Sequence, residues 1–91
     1  MSYTLIHNSE NNQYEYQIEG HIAKIQYEVI DGKYHLTHTI VPKELGGRGI
    51  AKALTKDVLT ALQADGKKAV AGCSFIVKYK ENNPEWNALF E

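Results

Sequence analysis

A chain of 91 residues, 43% hydrophobic and 23% charged, has room for a single domain, residues 1–91, built on one modest core. A formal net charge of −1, with lysines scattered rather than clustered, argues against the basic face of a nucleic-acid binder. A single cysteine excludes an intramolecular disulfide, and no apolar run approaches the roughly 20 residues of a bilayer span. The opening Met-Ser-Tyr-Thr-Leu-Ile-His lacks the basic and long apolar regions of a signal peptide, so a reducing, cytoplasmic location is the expectation.

Residues 3–7 form a short apolar segment suited to an edge strand, and residues 9–12 are turn-like. Residues 13–19 alternate, with Tyr14, Tyr16 and Ile18 opposite Gln13, Glu15, Gln17 and Glu19, the period-2 mark of a half-buried strand. Glu19-Gly20 closes a tight turn. Residues 21–30 alternate again, with Ala23, Ile25, Tyr27 and Val29 on one face. Asp31-Gly32 is a two-residue hairpin signal, because both positions tolerate positive φ. Residues 33–42 form the return strand, and strict alternation puts Tyr34, Leu36, His38 and Ile40 on one face. From Gly49 to Asp65, Ile50, Leu54, Val58, Ala61 and Leu62 recur at helical spacing, and Gly66 ends the helix. Residues 68–73 are a short apolar run that reads as a parallel strand covered on both faces. Residues 74–82 predict a helix with Ser74 as N-cap. Asn83-Pro84 breaks it, and Pro84-Glu85-Trp86 starts a last helical turn. The fold class is α+β: a mostly antiparallel sheet extended by one parallel strand through a βαβ unit, with helices packed on the sheet.

The segment around which this pattern turns is residues 40–54. A strand ends at Ile40-Val41-Pro42, Gly46, Gly47, Arg48 and Gly49 follow, and a helix begins. Glycines admit a ligand close to the backbone, and a helix N-terminus offers unpaired N–H groups and a positive dipole end. That combination is either an anion site, most often for phosphate, with Arg48 as an adjacent cation, or a plain strand-to-helix turn. The dinucleotide pattern fails because Lys52 stands where glycine or alanine is required, and the Gly-Lys-Ser/Thr ending of a P-loop is missing.

Gly46-Gly47-Arg48-Gly49-Ile50-Ala51 resembles the acyl-CoA motif Gln/Arg-x-x-Gly-x-Gly/Ala of the GNAT N-acetyltransferase superfamily. Thr37-His38-Thr39 before the proline, Cys73-Ser74 after the next strand, and Tyr79 followed by Asn83-Pro84-Glu85-Trp86 extend the likeness to its very small single-domain members. The resemblance spans about residues 13–90. Gly46 departs from the motif's usual Gln or Arg.

The resemblance implies acetyl-CoA as co-substrate and an amine acceptor that the sequence does not identify; charge and the lack of a long apolar run add the expectation of no nucleic acid and no membrane, and a monomer or weak dimer is expected. It implies a cofactor-binding set of Ile40, Val41, Gly46, Gly47, Arg48, Gly49, Ile50, Ala51, Ser74 and Tyr79. Larger members carry extra N-terminal helices and C-terminal strands around the acceptor site, so an open acceptor side is expected here. Cys73, His38 and Tyr79 are the candidate catalytic groups. Cys73 is either an acyl-accepting nucleophile or thiolate acid, or an inert thiol. His38 is either a general base or a hydrogen-bonded core histidine, and strand periodicity favours the core. Tyr79 is either an acid toward the sulfur or a packing residue. Lys52, Lys56 and Lys80 are candidates for phosphate contact against the ordinary reading of solvated lysines. Trp86, Leu89 and Phe90 read as a core patch, and His7, His21 and His35 show no metal-ligand spacing with Cys73. The two competing functions are acetyl-CoA-dependent N-acetyl transfer and a non-catalytic acyl-CoA-binding module or sensor.

Overall fold

The structure, a computed structural model, describes residues 3–91. The first two residues of the opening segment, read above against a signal peptide, lie outside the described residues. Five strands, β1 (Ile6–Asn8), β2 (Gln13–Ile18), β3 (His21–Ile30), β4 (Lys33–Ile40) and β5 (Lys68–Ala71), form one sheet in sequence order. The first four are antiparallel and β5 joins β4 in parallel. Helix α1 (Ile50–Ala64) connects β4 to β5, and α2 (Ser74–Asn82) follows β5. No helix of the described residues is long and apolar enough to cross a membrane.

The turns follow from their residues. Glu19-Gly20 and Asp31-Gly32 both have positive φ at both positions, the geometry that matches the twist of a two-residue hairpin. Gly66, at φ +69°, closes α1: its N–H donates to the Gln63 carbonyl and the Lys67 N–H to that of Leu62, satisfying two orphan carbonyls. The first strand forms at Ile6–Asn8 rather than over 3–7, while Tyr3 and Leu5 pack at the border of the core.

One sheet face lies under α1. The Tyr16 hydroxyl donates to Asp57 of α1, so Tyr14, Tyr16 and Ile18, with Ala23, Ile25 and Tyr27 of β3, meet Leu54, Val58, Leu59 and Leu62. Each such aliphatic side chain contributes about 1.5–3 kcal/mol by leaving water. The other face of β2 is less exposed than alternation implies. Gln13 and Glu15 are buried because Asn8, Gln13 and Gln17 each donate an amide N–H to the Glu15 carboxylate, covering it with a layer of side chains. Those three bonds hold the Glu15 carboxyl below its usual range, with Lys24 adding a smaller attraction.

Strand β4 breaks its own alternation. Gln26 faces His38 and the next β3 residue, Tyr27, faces Leu36, which leaves Thr37 as the extra residue of a β-bulge. The sheet faces of β4 therefore swap at Thr37. Leu36 is fully buried under α1, whereas His38 and Ile40 are exposed on the opposite face. His38 does not share a face with Leu36 and is not a core histidine: periodicity predicts both, and one inserted residue overturns both.

The β4–β5 pairing runs from Lys33 opposite Lys68 to Leu36 opposite Ala71, and the Gly72 N–H donates to the Leu36 carbonyl at 3.0 Å. A Cβ on Gly72 would stand 2.9 Å from that oxygen, so only glycine fits there. Strand β5 is shorter than residues 68–73 and only Ala69 is fully buried in it, because among the described residues its outer edge meets just a single bridge, Ala69 with Phe90. Leu89 and Phe90 are buried beside it and Trp86 packs at the border, so the C-terminal apolar residues close the core.

Candidate functional site

Beyond Leu36, β4 continues to Ile40 with β3 on one side and no strand partner on the other among the described residues. Chain direction then changes in three steps. Val41-Pro42 leaves the sheet, Lys43–Leu45 forms a 3₁₀ turn anchored by buried Leu45, and the glycines lead into α1. Gly47 and Gly49 have φ of +78° and +69°, in the region that favours glycine, and a Cβ on either would meet nothing within 4 Å. Gly46 has ordinary extended backbone. A Cβ there would stand 3.1 Å from the Lys43 carbonyl, a tight contact that a shift of a few tenths of an ångström relieves.

Gly49 caps α1 without a side-chain hydrogen bond to its first turn, so the opening N–H groups of a 15-residue helix face the loop uncapped. They border a cleft of about 340 Å³ whose lining includes Val41, Gly46, Gly47, Ile50, Lys52 and Phe75. Backbone donors, missing Cβ atoms and an apolar wall suit a ligand with a phosphate and a slender apolar arm.

Arg48 does not point a free guanidinium at this cleft. It donates two hydrogen bonds to Glu19, at 2.8 and 3.3 Å, tying the glycine loop to the β2–β3 turn 29 residues earlier. The bidentate contact holds the Glu19 carboxyl below its usual range and raises the guanidinium further. Both side chains are exposed, so the contact is screened and exchangeable.

Cys73 is half-buried just beyond β5, with its Sγ 3.5 Å from Thr39 Oγ1 on the unpartnered part of β4. It is also the N-cap of α2. Ser74, expected to cap, is the first helical residue, because the extended backbone belongs to Cys73, at φ −139° and ψ 160°. Cys73 accepts the first helical bond, from Val77, through its carbonyl. Tyr79 lies half-buried one turn further along α2. Burial pushes its phenol up, Trp86 opposes this with a hydrogen bond, and the Glu85 charge adds to the rise. His38 is exposed, its Nδ1 3.2 Å from Thr37 Oγ1. The fold thus brings Cys73 and Thr39 together with the end of β4. Among the described residues it does not hydrogen-bond Cys73, His38 and Tyr79 to one another. Lys80 stands over the Phe90 ring, 5.5 Å from its centroid, away from the glycine cleft. Among the described residues no group of three or more His, Cys, Asp or Glu side chains is placed to hold a metal ion.

Residues 13–89 match the family model for the GCN5-related N-acetyl-transferase. The chain belongs to that family. Its curated relatives include Protein NATD1 of Xenopus tropicalis, 35% identical over 81 residues, covering 86% of this chain and 74% of that protein. Protein NATD1 of Homo sapiens is likewise 35% identical, over 86% of this chain and 72% of its own. Among solved structures, a GCN5-like protein of Staphylococcus aureus, determined by solution NMR, superposes with a TM-score of 0.76 at 26% identity, over all of this chain and 91% of that one. The GCN5-related N-acetyltransferase fold is therefore shared along the whole described chain. Glu19 and Phe75 are site neighbours that sequence reasoning missed, and Thr39 entered it only as part of the resemblance, without its contact to Cys73. Glu19 and Thr39 meet their partners 29 and 34 residues away, and no local pattern signals such contacts.

Proposed function

We propose that this family member transfers an acetyl group from acetyl-CoA to an amine. The observation that carries the reading is the end of β4. There Val41, just past the unpartnered strand edge, and the uncapped first turn of α1 line one cleft, and the Cys73 thiol lies against Thr39 on that strand edge. The N–H groups of Gly47 to Ala51 hold the pyrophosphate, and Arg48 adds charge by leaving Glu19. Ile40 and Val41 offer backbone groups to the pantetheine arm, and Ser74 lies at the start of α2 on the same side. Acetyl-CoA supplies an activated thioester. In the transfer, the amine nitrogen bonds to the carbonyl carbon, the C–S bond breaks, the sulfur takes up a proton and the nitrogen gives one up. Tyr79, held protonated by burial, suits the proton donor. Cys73 is placed to accept the acetyl group transiently or to donate a proton. His38 lies on the opposite sheet face, where an acceptor amine approaches without crossing α1.

The lack of a direct hydrogen bond among Cys73, His38 and Tyr79 favours a second reading, a binding module that holds acyl-CoA without turnover. One pair of assays separates the two. Acetyl-CoA affinity is measured by calorimetry and thioester loss is followed with a panel of amines, in the native chain and in Cys73→Ala. Turnover lost with affinity kept supports transfer through Cys73. Binding without turnover for any amine moves the module to the front.

A further inference from the structure

Thr37, the extra residue of the β4 bulge, uses its hydroxyl twice. Its Oγ1 lies 3.3 Å from the backbone carbonyl oxygen of Gln26 on β3 and 3.2 Å from Nδ1 of His38, the next residue. The direction of both bonds follows from what each atom can do. A carbonyl oxygen only accepts, so Thr37 spends its one hydroxyl hydrogen on Gln26. Toward His38 the same oxygen has only a lone pair to offer, so Nδ1 must carry the hydrogen and donate it. In a neutral imidazole that leaves Nε2 as the bare nitrogen, with a lone pair. His38 is exposed on the sheet face opposite α1, and among the described residues its Nε2 is in no hydrogen bond.

We infer that Thr37 is a positioning residue that fixes the tautomer of His38, and that Nε2 is thereby the base that takes the proton of the acceptor amine. This rests on the reading of the chain as an N-acetyltransferase and adds to it the atom that receives the proton. As the amine nitrogen bonds to the thioester carbonyl carbon, its proton passes to Nε2. The C–S bond breaks, the sulfur takes up a proton from its acid, and the exposed imidazolium returns the amine's proton to water. Free histidine favours the hydrogen on Nε2, and in that form the outward nitrogen has no lone pair for a proton. The bulge therefore does two things: it turns His38 to the outer face, and it presents the hydroxyl that selects the reactive form of the ring.

The test is nitrogen NMR of the full chain carrying isotope-labelled histidine, at about pH 8.5, where an ordinary imidazole is neutral. The chain has four histidines, and His38→Ala identifies the signal. The expected result is a bare Nε2 in the native chain and in Thr37→Ser, and a protonated Nε2 in Thr37→Val. Acetyl transfer is measured alongside. Thr37→Val is expected to lower kcat by about threefold to tenfold, the fall in the competent fraction, with KM for acetyl-CoA unchanged and Thr37→Ser close to native. In the His38→Ala background Thr37→Val should have no further effect, whereas damage to the bulge itself would still lower kcat. Hydrogen on Nε2 in the native chain overturns the role of Thr37. The expected tautomer with kcat unchanged in His38→Ala overturns the base. The tautomer is read without turnover, so the absence of transfer to any amine overturns the acetyltransferase reading and the base with it, while the form of the ring still decides the role of Thr37.

Discussion

The two halves of β4 lie on either side of Thr37 and have different neighbours. From Lys33 to Leu36 the strand is paired on both sides, to β3 and to β5, and Leu36 is sealed under α1. From His38 to Ile40 it is paired only to β3 among the described residues, its odd-numbered side chain Thr39 meets Cys73, and His38 and Ile40 are exposed on the far face. The first half is sealed into the fold, and the second leaves one edge of the strand without a strand partner among the described residues. One bulged residue and one glycine separate them. Thr37 swaps the faces, while Gly72 lets β5 approach Leu36 and then depart. A single strand can thus change its neighbours when its partner strand ends halfway.

The largest expected effect contrasts the halves directly. Leu36→Ala removes a fully buried side chain and should cost about 2–5 kcal/mol in urea unfolding. Ile40→Ala, at a residue 42% exposed, should stay within about 0.5 kcal/mol. Equal costs at the two positions would dissolve the distinction. Gly72→Ala probes the boundary. Its methyl group must displace the Leu36 carbonyl, so a loss of about 1–3 kcal/mol is expected, with acetyl-CoA binding altered as the strands part earlier.

A third prediction concerns the paired half, which is bordered by tyrosines. Tyr34 packs on Tyr27, with ring centroids 4.8 Å apart, and Tyr27 on Tyr14 at 5.6 Å. Burial, then neighbouring phenols, pushes Tyr14 up to about 12 and raises Tyr27. Burial and the bond to Asp57 raise Tyr16 as well. A raised folded pKa favours the protonated phenol, so this stability is complete below the unfolded value of about 10 and is lost as pH rises toward 12. Urea midpoints should therefore fall between about pH 10 and 12, and Tyr14→Phe should blunt the fall. A flat profile there would remove the tyrosines from the account of the paired half.

The smallest effect belongs to the glycine loop that follows the open half. Glu19 competes with any anion for Arg48, so Glu19→Gln should tighten acetyl-CoA binding roughly threefold, and Arg48→Ala should weaken it. Weaker binding in Glu19→Gln would mean that the pair positions the loop instead of restraining its cation.

Much of the architecture was legible because its signals are local. Alternation in residues 13–30 marks two strands, Asp-Gly and Glu-Gly mark their turns, and Gly66 marks the end of α1 through a backbone conformation that L side chains resist. The glycine loop was legible for the same reason, and its order of residues carried the family. The face of His38 was not, because a bulge depends on how two strands meet and leaves no mark in the alternation of one. Nor was the cap of α2, since Cys73 and Ser74 compete for a place that the end of β5 settles. By itself, then, the sequence determined the elements, their turns and the family, which rest on propensity, period and motif over a few residues. The tertiary structure alone decided which face His38 takes, that Arg48 is held by Glu19, and that Cys73 meets Thr39. Those facts depend on contacts between residues far apart in the chain, whose distances only packing fixes.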